Sequence, residues 1–392
     1  MNESPLPENR VAALDAARGF ALLGVAVVNA HTFNIGFAGG NYAWDRALTA
    51  PDRVAELLSN LVFAHRSFPM LAFLLGVGLV LQTRTLARPE VSSALFGRYM
   101  ALLLVGVAHG LLLWPGDILA AYAIIVLTLA RYAVAWSGTA VKLVLGVLFT
   151  ATFATTTYWA FGDQSPLRCG PDAMSMEASF AQGNWLTARG QGAAEFLING
   201  LLGHALNPVF WALVLLGVWC ARSAAFWQHL RQPSFFHPVV LASAAVLAWS
   251  TAAEWTFGRA GAWSSLGCQG GVVSQFLLAE TTTPFVCIPV LLTLFAWLAQ
   301  RYPRAPALMR LMAVGRAPLT MFLGQSIVFS VLFSQTFLGL HGHLGRAGVL
   351  LIALLTFMLL AAWIDYRYLG RGRVPPGERL WRAMARRFSR SR

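Results

Sequence analysis

Ten apolar stretches alternate with polar connections along this chain, at 19–36, 61–82, 97–114, 117–136, 140–161, 194–219, 237–257, 272–299, 317–339 and 347–369. Most reach the roughly 20 residues that a helix needs to cross hydrocarbon, where an unclosed strand would leave its backbone unsatisfied. The pattern predicts an all-α fold, a polytopic membrane bundle of about ten transmembrane helices in one domain, residues 1–392. Residues 1–18 form an N-terminal segment, 162–193 the longest connection and 370–392 a basic tail. The first stretch is long and carries Asn29 and His31, so it does not read as a cleaved signal peptide.

Composition agrees with a membrane class. The chain is 57% hydrophobic and only 11% charged, whereas soluble domains carry about 25% charge. Its net charge of +13 rests almost wholly on arginine, with Lys142 the single lysine. An even number of spans puts both termini on one side, which then holds 22 cations against 6 on the other, with Arg66 inside the second stretch. By the positive-inside rule that side is the cytoplasm, so the charge reflects topology and an anionic leaflet, with no nucleic-acid partner. The segment 162–193 then lies outside, and so do Cys169 and Cys268, which either meet as a disulfide or stand as free thiols.

Polar residues interrupt the apolar runs at comparable depth. At 1.5 Å per residue, Asn29, His31, His109, His204, Glu280, Gln325 and Ser326 fall about 12 to 18 Å from the ends of their spans. Ionisable groups in hydrocarbon are expensive and usually mark a substrate or proton path. A shared polar cavity is the economical expectation. His109 lies in Gly106-Val-Ala-His-Gly110, a small-residue face that lets another helix approach closely. The connection Trp114-Pro-Gly-Asp117 reads as a tight turn, with Asp117 starting the next helix as an N-cap. Eight residues put His109 and Asp117 about 12 Å apart along a helix axis, so the turn must decide whether they touch. Histidine exchanges protons near neutral pH, which makes His109 either a general base or a hydrogen-bonded packing residue. His65 and Arg66 sit near an interface, where Arg66 either snorkels to head groups or lines the cavity mouth.

Several longer strings carry a resemblance. They are RVAALDAARGFALLGVAVVNAH from Arg10, PMLAFLLGVGLVLQTR from Pro69, and FGRYMALLLVGVAHGLLLWPGDILAAYAI from Phe96. Near the C-terminus follow VGRAPLTMFLGQSIVFSVLF from Val314 and PPGERLWRAM from Pro375. In this order, across residues 10–386, they resemble the YeiB-like family of bacterial inner-membrane proteins. The opening, with Asp15 and Arg18, is also similar to the start of the wider transmembrane acyltransferase superfamily. Many O-acetyltransferases have a histidine eleven residues after that arginine; this chain has Asn29. The resemblance implies a shared fold, a bacterial inner-membrane location and acyl transfer.

In that setting His109 is the expected base, Asp117 orients it or contacts the acceptor, and Asn29 or Gln325 polarises the carbonyl. Asp15, Arg18, His31, His65, Arg66, Glu280, Gln325 and Ser326 are the expected substrate-binding set. Arg310 and Arg316, in an Arg-rich cytoplasmic zone, either anchor to anionic lipid or hold the phosphates of an acyl-CoA co-substrate, since guanidinium binds phosphate bidentately. No resident cofactor or metal is expected, and neither HExxH nor GxSxG occurs. The expected partners are the lipid bilayer and a small-molecule or glycan acceptor. The alternative is a transporter that uses the same polar layer for translocation, or a lipid- or small-molecule-binding membrane protein without catalysis.

Overall fold

The computed structural model describes residues 8–35, 49–84, 88–161, 190, 192–257 and 282–390. All regular structure among the described residues is helical. α1 (Glu8–Ile35) is followed by α2 (Ala50–Leu58), which ends in a π turn over Ser59–Phe63, then α3 (Ser67–Arg84) and α4 (Arg88–Leu112). Next come α5 (Leu119–Ile125), extended by a second π turn, and α6 (Gly138–Phe161). A π-rich piece over 192–206 leads into α7 (Pro208–Arg222), α8 (Ala224–Arg231) and α9 (Pro238–Phe257). The rest is α10 (Thr283–Arg301), α11 (Pro306–Arg316), α12 (Pro318–Phe333), α13 (Arg346–Arg367) and α14 (Pro376–Arg390).

Six of the described helices are long and apolar enough to cross a membrane, or eight if each of two bent pairs counts as one span. Shorter apolar helices at Leu119–Ala133 and Pro238–Trp249 fall on two further predicted stretches. The predicted ten stretches therefore all carry helix, although two are short and two are broken. One break, of 95°, separates α11 from α12. Proline begins both of these helices, the position where its missing N–H costs nothing.

α1 runs through the middle of the bundle, packed against α3, α10, α11, α12 and α13. Its contact with α11 is backbone on backbone. A Cβ on Gly19 would stand 2.0 Å from the Leu311 carbonyl oxygen, and one on Gly315 would stand 1.9 Å from that of Asp15. α3 and α7 cross in the same reciprocal way, Gly76 against the Val214 carbonyl at 2.0 Å and Gly217 against that of Phe73 at 2.1 Å. Without these glycines the axes could not approach so closely.

The basic C-terminal segment reads as a tail in the sequence, but most of it is the docked helix α14. Trp381 Nε1–H donates to the Arg98 carbonyl at 2.7 Å, and Gly97 lets α4 meet the α14 backbone near Ala385. Glu378, buried, accepts from the backbone N–H of Leu319 at 2.8 Å and of Thr320 at 3.1 Å, and also from the Thr320 hydroxyl. It thus caps the first turn of α12, whose leading N–H groups have no partner within the helix. Removing a buried acceptor leaves those donors unsatisfied, at about 1–3 kcal/mol. Glu378→Ala is therefore expected to lower the thermal midpoint of the detergent-purified protein, with Glu378→Gln recovering part of the loss. Unchanged melting of the alanine variant would show that the dock adds no stability.

Candidate functional site

The connection after α4 folds back on itself, and this reversal builds the site. Trp114-Pro-Gly-Asp117 returns the chain antiparallel to α4, so the eight residues between His109 and Asp117 no longer run along one axis. His109 Nδ1 lies 2.8 Å from Asp117 Oδ2, with both residues buried, at 2% and 0% exposure. The other carboxylate oxygen, Oδ1, accepts from Ala120 N–H at 2.8 Å and so holds the start of α5. Asp117 is therefore a helix cap and a histidine partner at once. Gly106 admits the Ala120 backbone, where a Cβ would sit 2.4 Å from its nitrogen, and Gly110 admits the Phe196 ring. The small-residue face does receive a helix backbone, and His109 sits between the two contacts.

A carboxylate can only accept, so Nδ1 donates here, and the neutral ring carries its lone pair on Nε2. That Nε2 is buried and has no hydrogen-bond partner among the described residues. The His109 ring lies 4.9 Å from the Phe322 ring of α12. Gln325 and Ser326 follow Phe322 by three and four residues, hence on the same helix face. Gln325 is fully buried, and neither amide atom has a partner among the described residues. Ser326 Oγ donates to its own helix, at Phe322 O, 3.1 Å away.

α1 brings the third component. Phe33 stacks on Trp114 at 3.6 Å and contacts Phe329 at 5.7 Å. Asn29 precedes Phe33 by one turn, as Gln325 precedes Phe329, so this contact sets the two amides at one level. Asn29 Nδ2 is also buried without a partner among the described residues. The result is a polar layer of His109, Asp117, Asn29 and Gln325 beneath a stack of aromatic rings. Orphaned buried polar groups are rare and need an explanation.

Asp15, Arg18, His31 and Arg66 of the expected substrate-binding set do not join this layer. Asp15 and Arg18 are paired at 3.1 Å near the start of α1, about 21 and 16 Å along the helix from Asn29. His31 stands about 200° around α1 from Asn29 and meets Ser59 Oγ at 3.3 Å. Arg66 is 4% exposed and does not snorkel: its Nη1 donates to the carbonyls of Asn60 and Ala64, both at 2.8 Å. The π turn and the left-handed backbone of half-buried His65, φ 55°, end α2 just there, where helix carbonyls lack partners. His204 bonds within its own helix turn, to Gly200 O at 2.9 Å.

Arg310 and Arg316 are both exposed, but six residues separate them by about 120° around α11, so they do not form one face. Glu280, Cys169 and Cys268 lie outside the described residues, as does any bond between those cysteines. No cluster of three or more potential metal ligands occurs among the described residues. Nothing in the sequence pattern pointed to the aromatic stack. For the Glu378 cap, the PPGE string offered one signal, proline at a helix start followed by an acidic residue in its first turn.

Residues 204–387 match the family model described as a protein of unknown function (DUF418). Over 402 aligned residues the chain is 27% identical to the uncharacterised protein YeiB of Escherichia coli (strain K12), covering 95% of this chain and 96% of that one. It is 26% identical over 416 residues to the uncharacterised protein YxaH of Bacillus subtilis (strain 168), covering 96% and 94%. The likeness to these two proteins runs through the helices that carry Asn29, His109 and Gln325, and the C-terminal half also matches the DUF418 family model.

Proposed function

We propose that the protein is a membrane-embedded acyltransferase, moving an acyl group from a cytoplasmic acyl-CoA-type donor to a hydroxyl or amine acceptor in or beyond the membrane. The carrying observation is the buried His109–Asp117 pair, whose Nε2, like Asn29 Nδ2 and both Gln325 amide atoms, has no hydrogen-bond partner among the described residues. In the reaction Nε2 takes the proton of the acceptor O–H or N–H as that atom attacks the thioester carbonyl. The Asn29 and Gln325 amide N–H groups stabilise the developing oxyanion. Collapse breaks the C–S bond, and the imidazolium returns its proton to the departing thiolate. Asp117 keeps the ring in the tautomer this requires. CoA is a co-substrate here, with the acceptor a small molecule or glycan.

The cation asymmetry supports a bacterial inner-membrane location with both termini cytoplasmic. A reporter fused after Arg392 should then read as cytoplasmic and one inserted near Asp172 as external; the reverse would overturn this orientation. A transporter is the second reading, favoured by the 95° break that feeds α12, since interrupted helices line many translocation sites.

Proteoliposomes given donor labelled in its acyl group separate the two readings. Release of free thiol with transfer of label to a lipid or glycan fraction, lost in His109→Gln, is the enzyme outcome. Solute flux that persists in His109→Gln, with the thioester intact, is the transport outcome and overturns the proposal.

A further inference from the structure

At the end of the bundle where α1 begins, three arginines from three helices converge. Arg18 of α1 donates through Nη1 to Asp15 Oδ1 at 3.1 Å and to the Gly315 carbonyl at 3.0 Å. Gly315 immediately precedes Arg316 of α11, and Asp15 lies within Coulombic reach of both Arg18 and Arg316. Arg98 of α4 donates to Gln82 Oε1 of α3 at 2.8 Å, and the Gln82 amide reaches the Tyr99 hydroxyl at 3.4 Å. That hydroxyl lies within Coulombic reach of both Arg98 and Arg18.

Arg18 and Arg316 share the single Asp15 carboxylate, and Arg98, which meets Arg18 through the Tyr99 hydroxyl, bonds a neutral amide, so the three cations have one acidic partner among these groups. Arginines that merely anchor a helix spread towards separate head groups, whereas Asp15, Gln82 and Tyr99 draw these together. Their donors are far from exhausted. Arg316 makes no hydrogen bond to a described residue, and Arg18 and Arg98 use only Nη1. Phosphate oxygens match the guanidinium fork bidentately.

The cluster is also in register with the polar layer. Arg18 precedes Asn29 on α1 by eleven residues, and Arg98 precedes His109 on α4 by eleven. Both helices therefore set it about 16 Å from that layer. We infer that Arg18, Arg98 and Arg316 form a phosphate site, holding the phosphate end of an elongated ligand whose other end reaches His109. Taking that ligand to be the acyl-CoA-type donor rests on the function proposed above; the phosphate site itself does not.

Binding tests the inference without reference to turnover. The full-length protein in zwitterionic nanodiscs is titrated with CoA and with inorganic pyrophosphate, while a parallel set of nanodiscs contains anionic phospholipid. Native-state ligands raise the thermal midpoint by mass action. CoA is expected to stabilise the wild type, and Arg98→Gln and Arg316→Gln each to weaken its binding about tenfold or more, since charge-assisted hydrogen bonds are lost. Arg310→Gln, about 120° around α11 from Arg316, should bind like wild type.

If only anionic phospholipid stabilises, still through Arg98 and Arg316, the phosphate site stands and its source is a lipid head group. If CoA binds through these arginines but no acyl transfer is found, the site stands and the enzyme reading falls. If neither ligand's binding responds to Arg98 or Arg316, or if Arg310→Gln is as damaging as they are, the inference is overturned, whatever the catalytic assay shows.

Discussion

Glutamine at position 109 is expected to leave the bundle intact and to remove about 10²- to 10⁴-fold of the acyl-transfer rate. The side chain is of similar length, can donate to Asp117 Oδ2, and adds no charge to a buried layer. It cannot take a proton as an imidazole does. The expectation separates a base from a packing residue, because a packing histidine replaced in this way loses stability and not rate. Asp117→Asn should fall in between. It keeps an oxygen to cap Ala120, so α5 still starts correctly, but an amide no longer stabilises the imidazolium. The two variants are compared with wild type by thermal midpoint in detergent and by thiol release under saturating donor. Full thiol release from a well-folded His109→Gln protein would remove His109 from the chemistry. A collapsed thermal midpoint with a normal rate per folded molecule would assign it to packing.

Gly315→Leu is expected to abolish accumulation of folded protein. A Cβ at that position would stand 1.9 Å from the Asp15 oxygen and 2.6 Å from its carbonyl carbon, both backbone atoms of a central helix. No rotamer change relieves such a contact, so α1 and α11 must separate, and the matching contact at Gly19 opens with them. Overpacking against side chains costs about 1–3 kcal/mol; rigid backbone on both sides puts this case at the upper end or beyond. Native stability totals only about 5–15 kcal/mol. Gly315→Ala already places the clashing atom and should fold with a clearly lowered midpoint. At Gly146, in α6, an added Cβ would meet nothing within 4 Å, so Gly146→Ala should be neutral or stabilising by up to about 1 kcal/mol. Fluorescence-detected size exclusion with a heating series reads all three, and normal folding of Gly315→Leu would show that the α1–α11 crossing is not constrained as described.

The helices were legible because each apolar stretch decides its own state. In hydrocarbon a segment must bond its own backbone, and about 20 apolar residues repay that locally. The bend at the piece over 192–206 was not legible, since its π-helical part FLINGLLG is as apolar as the helices around it. Residues 306–316 read as a cytoplasmic connection for their arginines, yet α11 presents Leu308, Ala313, Val314 and Gly315 to the core. Arg310 and Arg316 point to solvent between these core positions, and their charge alone was enough to mark the segment as a connection.

The polar residues of the site were visible one at a time: His109, Asp117, Asn29 and Gln325 each interrupt an apolar run. Their separation from Asp15, Arg18, His31 and Arg66 was not visible, because depth along a helix says nothing about azimuth. His31 is only two residues from Asn29, yet it faces Ser59. The convergence of Arg18, Arg98 and Arg316 was hidden for a related reason: position 98 lies over two hundred residues from 316.

By itself, then, the order of apolar and polar residues determined the membrane class, the positions of the long apolar helices and the types of side chain carried into their interior. Those properties depend on free energies that each segment settles with its solvent. Tertiary structure alone decided that His109 meets Asp117, that Asn29 and Gln325 share its level, and that Arg66 and Glu378 turn inward. These outcomes depend on helix rotation and crossing points. Backbone contacts at Gly19, Gly76, Gly106 and Gly315, and a four-residue reversal at Trp114–Asp117, set both, and they join segments that no local pattern connects.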